Sequence, residues 1–318
     1  MLNKLNNTMK KIILALAAVV MTAGVMSAQD INAVTEVYNN GAMELQMENK
    51  EAALENFQNA LKMAIELGDE GMEIADNCRN TIPALVLSIA KDLIKAQSYD
   101  PAIEKLNAAI AVAEEYSNAD VVADAKELIS QVTMLKGNEL IKAKNFAAAI
   151  PVFEELIAAD STNANAAIRL GMAYMSTNKT AEAEKAYLLA ARHGEEAQAN
   201  KQLSNMFVKV AAAELKAKKY ADAIAAADKS NSYLENATAM KVAGTAASQL
   251  KKNAEAIAYL EKYLELSPNA KDAANMKYTI AATAQAMGNN AKAKEYYEQI
   301  VNDPKLGPAV KPILDALK

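Results

Sequence analysis

Apolar residues in the segment 163–177 follow the spacing of one face of an α-helix. Ala167, Leu170, Gly171 and Tyr174 lie at positions i, i+3, i+4 and i+7. This spacing predicts a helix that buries one face. A glycine inside a helix costs about 0.5–1 kcal/mol relative to alanine. Gly171 therefore predicts a neighbouring helix that comes too close to leave room for a side chain.

A second helix is predicted directly after the first. Residues 178–179 form a short polar break, and Ala183, Tyr187 and Ala190 then recur at i, i+4 and i+7. Gly194 is placed to end this helix in the left-handed conformation that glycine adopts easily. Together the two segments predict an antiparallel pair of helices, with small residues where the helices approach each other.

The pair of small residues recurs along the chain with a constant separation of twelve positions. The pairs are Gly41/Ala53, Ala90/Ala102, Gly137/Ala149, Gly171/Ala183, Ala211/Ala223, Gly244/Ala256 and Ala281/Ala293. The residues four positions after each second member are Phe57, Leu106, Phe153, Tyr187, Ala227, Leu260 and Tyr297. All of these are large except Ala227. The pattern predicts repeated helical hairpins from about residue 33 to the end of the chain.

These residues resemble the tetratricopeptide repeat, a helix–turn–helix unit of about 34 residues. The resemblance implies an all-α fold, a right-handed α-solenoid of about seven such repeats with a C-terminal capping helix. It also implies that the first helices of the repeats line a concave groove that binds a protein or peptide. The predicted cap carries the apolar stripe Val310, Ile313, Leu314 and Leu317, which would cover the last repeat.

The spacing of the repeats divides the chain into regions. The distances from Gly41 to Ala90 and from Ala90 to Gly137 exceed the usual period, which indicates lengthened helices. We therefore expect a signal peptide at 1–28, lengthened repeats at 29–135, a regular array at 136–307 and the cap at 308–318. An alternative, kept open by the internal Pro83, is that residues 30–130 form a separate helical bundle.

The first 28 residues have the character of a secretory signal peptide. Lys4, Lys10 and Lys11 precede an uncharged run at 12–26, and small residues follow. The run is shorter than the ~20 apolar residues that span a bilayer, so no membrane span is expected in the mature chain. We predict cleavage after residue 27 or 28 and export to the periplasm, with secretion from the cell as the alternative.

The composition of the chain limits the classes of binding partner and of catalytic or metal chemistry that we expect. The chain of 318 residues has 34 basic and 39 acidic side chains, a net charge of −5, which disfavours nucleic acid as a partner. Cys78 is the only cysteine, so the fold contains no internal disulfide. The only histidine, His193, has no recognisable catalytic partner in the sequence. The acidic segment 69–76 lacks the glycine-turned loop of an EF-hand. We therefore predict no enzyme activity, no cofactor and no metal site.

A binding surface is the remaining class of site. Asn165, Ile168, Met172 and Met175 form a second stripe on the helix at 163–177, at the positions that line the groove in the resembled family. Flexible methionines and asparagines suit contact with a peptide. The alternative is that neighbouring helices cover this stripe. The predicted groove residues are Met134, Asn138, Asn165, Met172, Met175 and Asn205.

The identity of the partner is open at this level. One variant of the resembled family clamps the carboxylate-ended tails of chaperones with paired lysine and asparagine residues. That clamp is absent here, since the paired positions are Tyr38/Ala42, Leu87/Lys91 and Met134/Asn138. We predict a protein or peptide partner in the cell envelope. A glycan or peptidoglycan binder and a self-assembling structural protein are the alternatives.

Overall fold

A computed structural model describes residues 31–317, so the predicted signal peptide lies outside the described residues. The described part is an all-α array of seven helical hairpins followed by one helix, and it contains no strand. The fold predicted from the sequence is confirmed. The helices are α1 (Ile31–Gln46), α2 (Lys50–Glu66), α3 (Met72–Lys95), α4 (Tyr99–Glu115), α5 (Ala119–Lys142), α6 (Phe146–Ala159), α7 (Ala164–Ser176), α8 (Thr180–Ala190), α9 (Glu196–Lys216), α10 (Tyr220–Tyr233), α11 (Ala237–Gln249), α12 (Asn253–Leu266), α13 (Ala273–Ala286), α14 (Asn290–Glu298) and α15 (Gly307–Ala316).

Each hairpin uses the same turn between its two helices. The second residue after the end of each first helix adopts a left-handed conformation, with φ from +57° at Lys144 to +76° at Gly288. In the fourth hairpin, the backbone amide of Lys179, which follows the left-handed residue, donates a hydrogen bond to the carbonyl of Tyr174 at 2.9 Å. This bond satisfies a carbonyl in the last turn of α7. Because the turn is conserved in length from hairpin to hairpin, the small residues keep their separation of twelve. The seven turn residues are Glu48, Gln97, Lys144, Asn178, Lys218, Lys251 and Gly288.

Close packing inside the hairpins explains the glycines of the repeat. A Cβ atom built on Gly171 would lie 2.5 Å from the ring of Tyr187, which is buried. The corresponding distance from Gly137 to Phe153 is 2.6 Å. A large side chain on the second helix therefore fills the space above a glycine on the first. The prediction that Gly171 lies at a close helix contact is confirmed.

The fifth hairpin uses another combination of volumes at this contact. Ala211 stands at the glycine position and Ala227 at the position of the large residue, and both are fully buried in one cluster. Ala227, the exception in the sequence pattern, is therefore paired with an alanine on the first helix, so that each helix contributes a methyl group to the contact.

The described chain divides into two compact units between Leu156 and Ile157, inside α6. In the first unit a single apolar cluster extends from Val34 on α1 to Val132 on α5. The helices α3 and α5 each have 24 residues. Pro83 lies inside α3 without ending it.

The second unit contains three apolar clusters, centred on α7–α9, α9–α12 and α12–α15. Between α8 and α9 the chain passes through one wide helical turn, Ala191–Glu195, where Gly194 has φ +102° as predicted. At the other end, Val310 of α15 is fully buried in the last cluster, and Ile313 and Leu314 pack against it. The predicted capping helix is confirmed.

Candidate functional site

The predicted groove residues of the second unit lie on the first helices of two successive hairpins. On α7, Asn165 is exposed, whereas Met172 and Met175 are partly buried and pack against the apolar cluster of α7–α9. Ile168 is only 2% exposed and therefore belongs to the core rather than to a groove. On α9, Asn205 is exposed. The polar members of the stripe face solvent, and its apolar members are partly used in packing.

The remaining predicted residues, Met134 and Asn138, lie on α5 in the first unit. Both are partly buried, and Leu135 between them is 42% exposed. Thr133, the preceding residue, is buried. Each of the two predicted residues therefore has a side chain that is accessible in part.

Exposed cations accompany the predicted asparagines, and the sequence interpretation did not include them. Lys209 follows Asn205 by four residues on α9, and Arg169 follows Asn165 by four residues on α7. All four side chains are exposed. Residues four apart on a helix share a face. Both pairs have the same position in their repeats, so counting charges at equivalent positions would have found these cations.

The exposed face of α9 is a continuous stripe. Lys201, Asn205, Lys209, Ala212 and Lys216 lie at i, i+4, i+8, i+11 and i+15, and all five are exposed. This spacing keeps them on one side of a straight helix. The two acidic residues of α9 lie elsewhere on the helix surface. We call these five residues the lysine stripe.

A second recurring arrangement joins the second helices of successive hairpins. The Glu184 carboxylate of α8 accepts hydrogen bonds from Tyr233 Oη at 2.9 Å and Lys229 Nζ at 2.8 Å, both on α10. Asp228 on α10 accepts a hydrogen bond from Tyr259 Oη on α12 at 2.9 Å. We call this series of contacts between the second helices α8, α10, α12 and α14 the polar ladder.

The next step of the polar ladder reaches α14. Glu261 on α12 accepts hydrogen bonds from Lys292 Nζ at 2.6 Å and Tyr296 Oη at 3.1 Å. Burial, together with the charge and hydrogen bond of Glu261, raises the pKa of Tyr296 to about 12. Burial and the bonded carboxylates likewise raise the pKa values of Tyr233 and Tyr259 to about 12. These phenols therefore stay neutral to a higher pH than a tyrosine with its ordinary pKa.

The residues considered for chemistry do not assemble a reactive site. Cys78 is fully buried, and burial raises the pKa of its thiol to about 11, which disfavours the nucleophilic thiolate. His193 is exposed on the wide turn before α9. In the acidic segment, Asp76 forms an ion pair with Arg79 at 2.8 Å. Within residues 31–317 no group of three or more potential ligands is placed to hold a metal ion.

None of the helices in the described part of the chain has both the length and the apolar character needed to cross a bilayer. Repeated hairpins with one buried and one solvent-facing side on their first helices define a helical-repeat scaffold for protein interaction. The comparisons with known proteins agree with this class. Residues 140–202 match one family model described as tetratricopeptide repeat, and residues 242–270 and 274–302 match another. These three segments of the chain are tetratricopeptide repeats.

Solved structures resemble parts of the chain at low identity. A structure of MamA from AMB-1 is 20% identical, with 58% of this chain and 98% of that chain covered and a TM-score of 0.38. YrrB, described as a tetratricopeptide-repeat protein with an unusual peptide-binding site, is 19% identical, with 57% and 91% covered and a TM-score of 0.34. PilF of Pseudomonas aeruginosa is 18% identical, with 54% and 75% covered and a TM-score of 0.31. No curated protein matches the chain.

Proposed function

We propose that this protein is a non-enzymatic scaffold of the bacterial cell envelope that binds a partner protein or peptide on the solvent-facing side of its first helices. The observation that carries the proposal is the division of α7 into two faces. Leu170 and Gly171 are buried against the rest of the hairpin, while Asn165 is exposed on the same helix. A polar, solvent-facing stripe of this kind on a rigid helix suits recognition of a partner.

The envelope location is proposed from the sequence of residues 1–28. Three lysines, an uncharged run and small residues are the sequence pattern of an export signal. Mass spectrometry of the mature protein from fractionated cells tests this location. We expect an N-terminus at residue 28 or 29 and recovery from the periplasm. A cytoplasmic protein that retains residues 1–28 would contradict it.

The tyrosines favour a protein partner over a glycan. We expect a glycan-binding site to present an exposed aromatic ring. In the described residues all twelve tyrosines are buried or partly buried, and Tyr233, Tyr259 and Tyr296 belong to the polar ladder. The alternative of a peptidoglycan-binding protein therefore has no aromatic platform to support it.

Affinity purification from envelope extract, followed by mass spectrometry, tests the proposed function. With the captured partner, we expect the double variant Asn165→Ala/Asn205→Ala to bind about 1–3 kcal/mol more weakly, because interfacial polar groups lose their partners. The free energy of unfolding should change by no more than about 0.5 kcal/mol for each substitution. The matched control is Asn59→Ala/Asn302→Ala, a pair of exposed asparagines outside the first helices. Lost stability with intact binding would place the two asparagines in the fold instead.

A further inference from the structure

The second unit separates charge between the two helices of each hairpin. Its first helices, α7, α9, α11 and α13, contain six basic residues and two acidic ones, whereas its second helices, α8, α10, α12 and α14, contain five basic and nine acidic ones. The basic residues of the first helices are Arg169, Lys201, Lys209, Lys216, Lys241 and Lys277, and the acidic ones are Glu196 and Glu214. In an acidic chain, this is a local excess of positive charge on one set of helices.

Most of these cations have no charged partner. Among residues 31–317, Lys241 is the one member of the six that forms an ion pair, with Asp272. The acids of α9 do not offset the lysine stripe. Glu196 and Glu214 stand five residues before and thirteen after Lys201, which places both on another side of the helix, and Glu214 lies 3.4 Å from Lys219. The positive charge is therefore available to a ligand.

The lysine stripe has a defined spacing. With a rise of about 1.5 Å per residue, Lys201 and Lys209 are about 12 Å apart along α9, and Lys216 lies about 10 Å further on. An extended peptide advances about 3.3–3.6 Å per residue. Carboxylates three or four residues apart in an extended segment match this spacing. Asn205 stands between the first two lysines and offers both a donor and an acceptor to a peptide backbone.

We propose that the lysine stripe, with Arg169 at the equivalent position of α7, binds an extended acidic segment of the partner, with Asp or Glu at every third or fourth position. This inference rests on the proposed scaffold function and adds the chemical class of the partner. The recognised groups are side-chain carboxylates, so a free chain end is not required.

The charge distribution favours an acidic peptide over a nucleic acid. Successive phosphates of a nucleic-acid strand are about 3.4 Å apart along the duplex axis, far closer than the lysines of the stripe. The nine acidic residues of the second helices and the net charge of −5 oppose a long polyanion that extends beyond the stripe. A short segment with spaced carboxylates avoids this repulsion.

A defined peptide tests the proposal on the full chain. The probe is a fluorescein-labelled 13-residue peptide with Glu at positions 1, 5, 9 and 13, Ser, Thr and Gly between them, and an amidated C-terminus. Fluorescence anisotropy should show binding that weakens as salt is added, since exposed charges are screened. A peptide with Gln in place of Glu should not bind. The triple variant Lys201→Gln/Lys209→Gln/Lys216→Gln should weaken binding about 10-fold, from three exposed ion pairs.

The matched control removes the same charge elsewhere. Lys185, Lys305 and Lys311 are exposed lysines outside the first helices, and their triple change to Gln should alter the peptide affinity less than about 2-fold. If the two triple variants weaken peptide binding equally, the loss of affinity comes from the net charge alone and the proposal is wrong. Equal binding of the Gln peptide, or tighter binding of a 20-nucleotide single strand of DNA, would overturn it as well. Self-association that disappears with the lysine stripe would assign it to a second copy and also overturn the proposal.

The partner captured with the scaffold separates this inference from the proposed function. If that partner binds the stripe variant as tightly as the wild type at low salt, where exposed charges are least screened, the scaffold function stands and the partner is not recognised through acidic side chains. If the wild-type chain captures no partner at all, the scaffold function itself fails.

Discussion

The two units of the chain hold their hairpins together in different ways. In residues 31–156 one apolar cluster extends from Val34 to Val132, and the long helix α3 contributes Ile82, Leu85, Val86 and Ile89 to it. Residues 157–317 contain three clusters, and the middle one is made largely of alanine. Alanine buries little apolar surface, so this middle cluster supplies less hydrophobic free energy than one built from larger side chains.

The polar ladder accompanies this alanine-rich packing. It links α8 to α10, α10 to α12 and α12 to α14, and so crosses from each cluster of the second unit to the next. In the first unit one ion pair, Lys105–Glu51, joins the second helices α4 and α2 without a tyrosine. Neighbouring hairpins of the second unit are thus joined by polar links between their second helices as well as by apolar packing.

Charge on the first helices differs between the units as well. In the first unit α1, α3 and α5 contain nine acidic and six basic residues, the reverse of the balance in the second unit. The acidic residues of the polar ladder lie on the second helices, whereas the first helices of the same unit carry exposed basic residues. Stabilising contacts and the proposed binding surface are thereby placed on different helices.

The largest effect is expected at the end of the last cluster. Deleting residues 308–318 removes Val310 and uncovers Ile280 and Tyr297, which are now buried. Because the apolar end of a repeat array is then exposed, we expect association before any loss of helix. Light scattering and circular dichroism measure the two properties. A soluble monomer with the original melting temperature would show that α15 is not a cap.

Two glycines at equivalent positions provide the next test. Gly171→Ala should lower the free energy of unfolding by about 1–3 kcal/mol, since the added Cβ meets the ring of Tyr187 at 2.5 Å and that ring is buried. In the first unit Gly41→Ala meets Phe57 at 3.2 Å, and the better helix propensity of alanine offsets the tighter contact. We expect Gly41→Ala to stay within about 1 kcal/mol of the wild type. Chemical denaturation measures both, and equal losses would contradict the difference.

The hairpins and their close contacts could be predicted from the sequence because they depend on local spacing. Gly171 and Tyr187 are separated by a fixed turn, so their positions in the chain determine their contact. The polar ladder could not be predicted, since Tyr259 and Asp228 meet only when two hairpins stack. The burial of Ile168 at the candidate site could not be predicted from the sequence either. Its place on a second stripe was evident, but its burial depends on how α9 packs.

Removing hydroxyls from the polar ladder should have a smaller effect than overpacking a helix contact. Tyr259→Phe and Tyr296→Phe should each cost about 0.5–1.5 kcal/mol, because the carboxylate of Asp228 or Glu261 loses one hydrogen bond. Tyr220→Phe is the control, since Tyr220 packs against the middle cluster without belonging to the ladder. Denaturation midpoints give the comparison. If the control loses as much stability, the ladder does not hold the hairpins together.

The pH dependence of stability reports on the same contacts. A tyrosine in the unfolded chain has a pKa near 10, whereas Tyr233, Tyr259 and Tyr296 have folded pKa values of about 12. Above pH 10 the unfolded state binds fewer protons, so the stabilisation is complete below pH 10 and is lost as the pH rises towards 12. The melting temperature of the triple Tyr→Phe variant should fall less steeply over this interval. Parallel curves would show that other groups set the alkaline stability.

The acidic segment of the partner is expected to bind the first helices of the second unit and not those of the first. Asn205 and Gln131 are exposed and stand six residues before the small residues Ala211 and Gly137 of their repeats. A benzophenone amino acid at either position, irradiated with the acidic 13-residue peptide, compares the two surfaces directly. We predict cross-linking at position 205 that decreases with added salt, and none above background at position 131. Equal cross-linking at both positions, or cross-linking at 131 alone, would contradict the account.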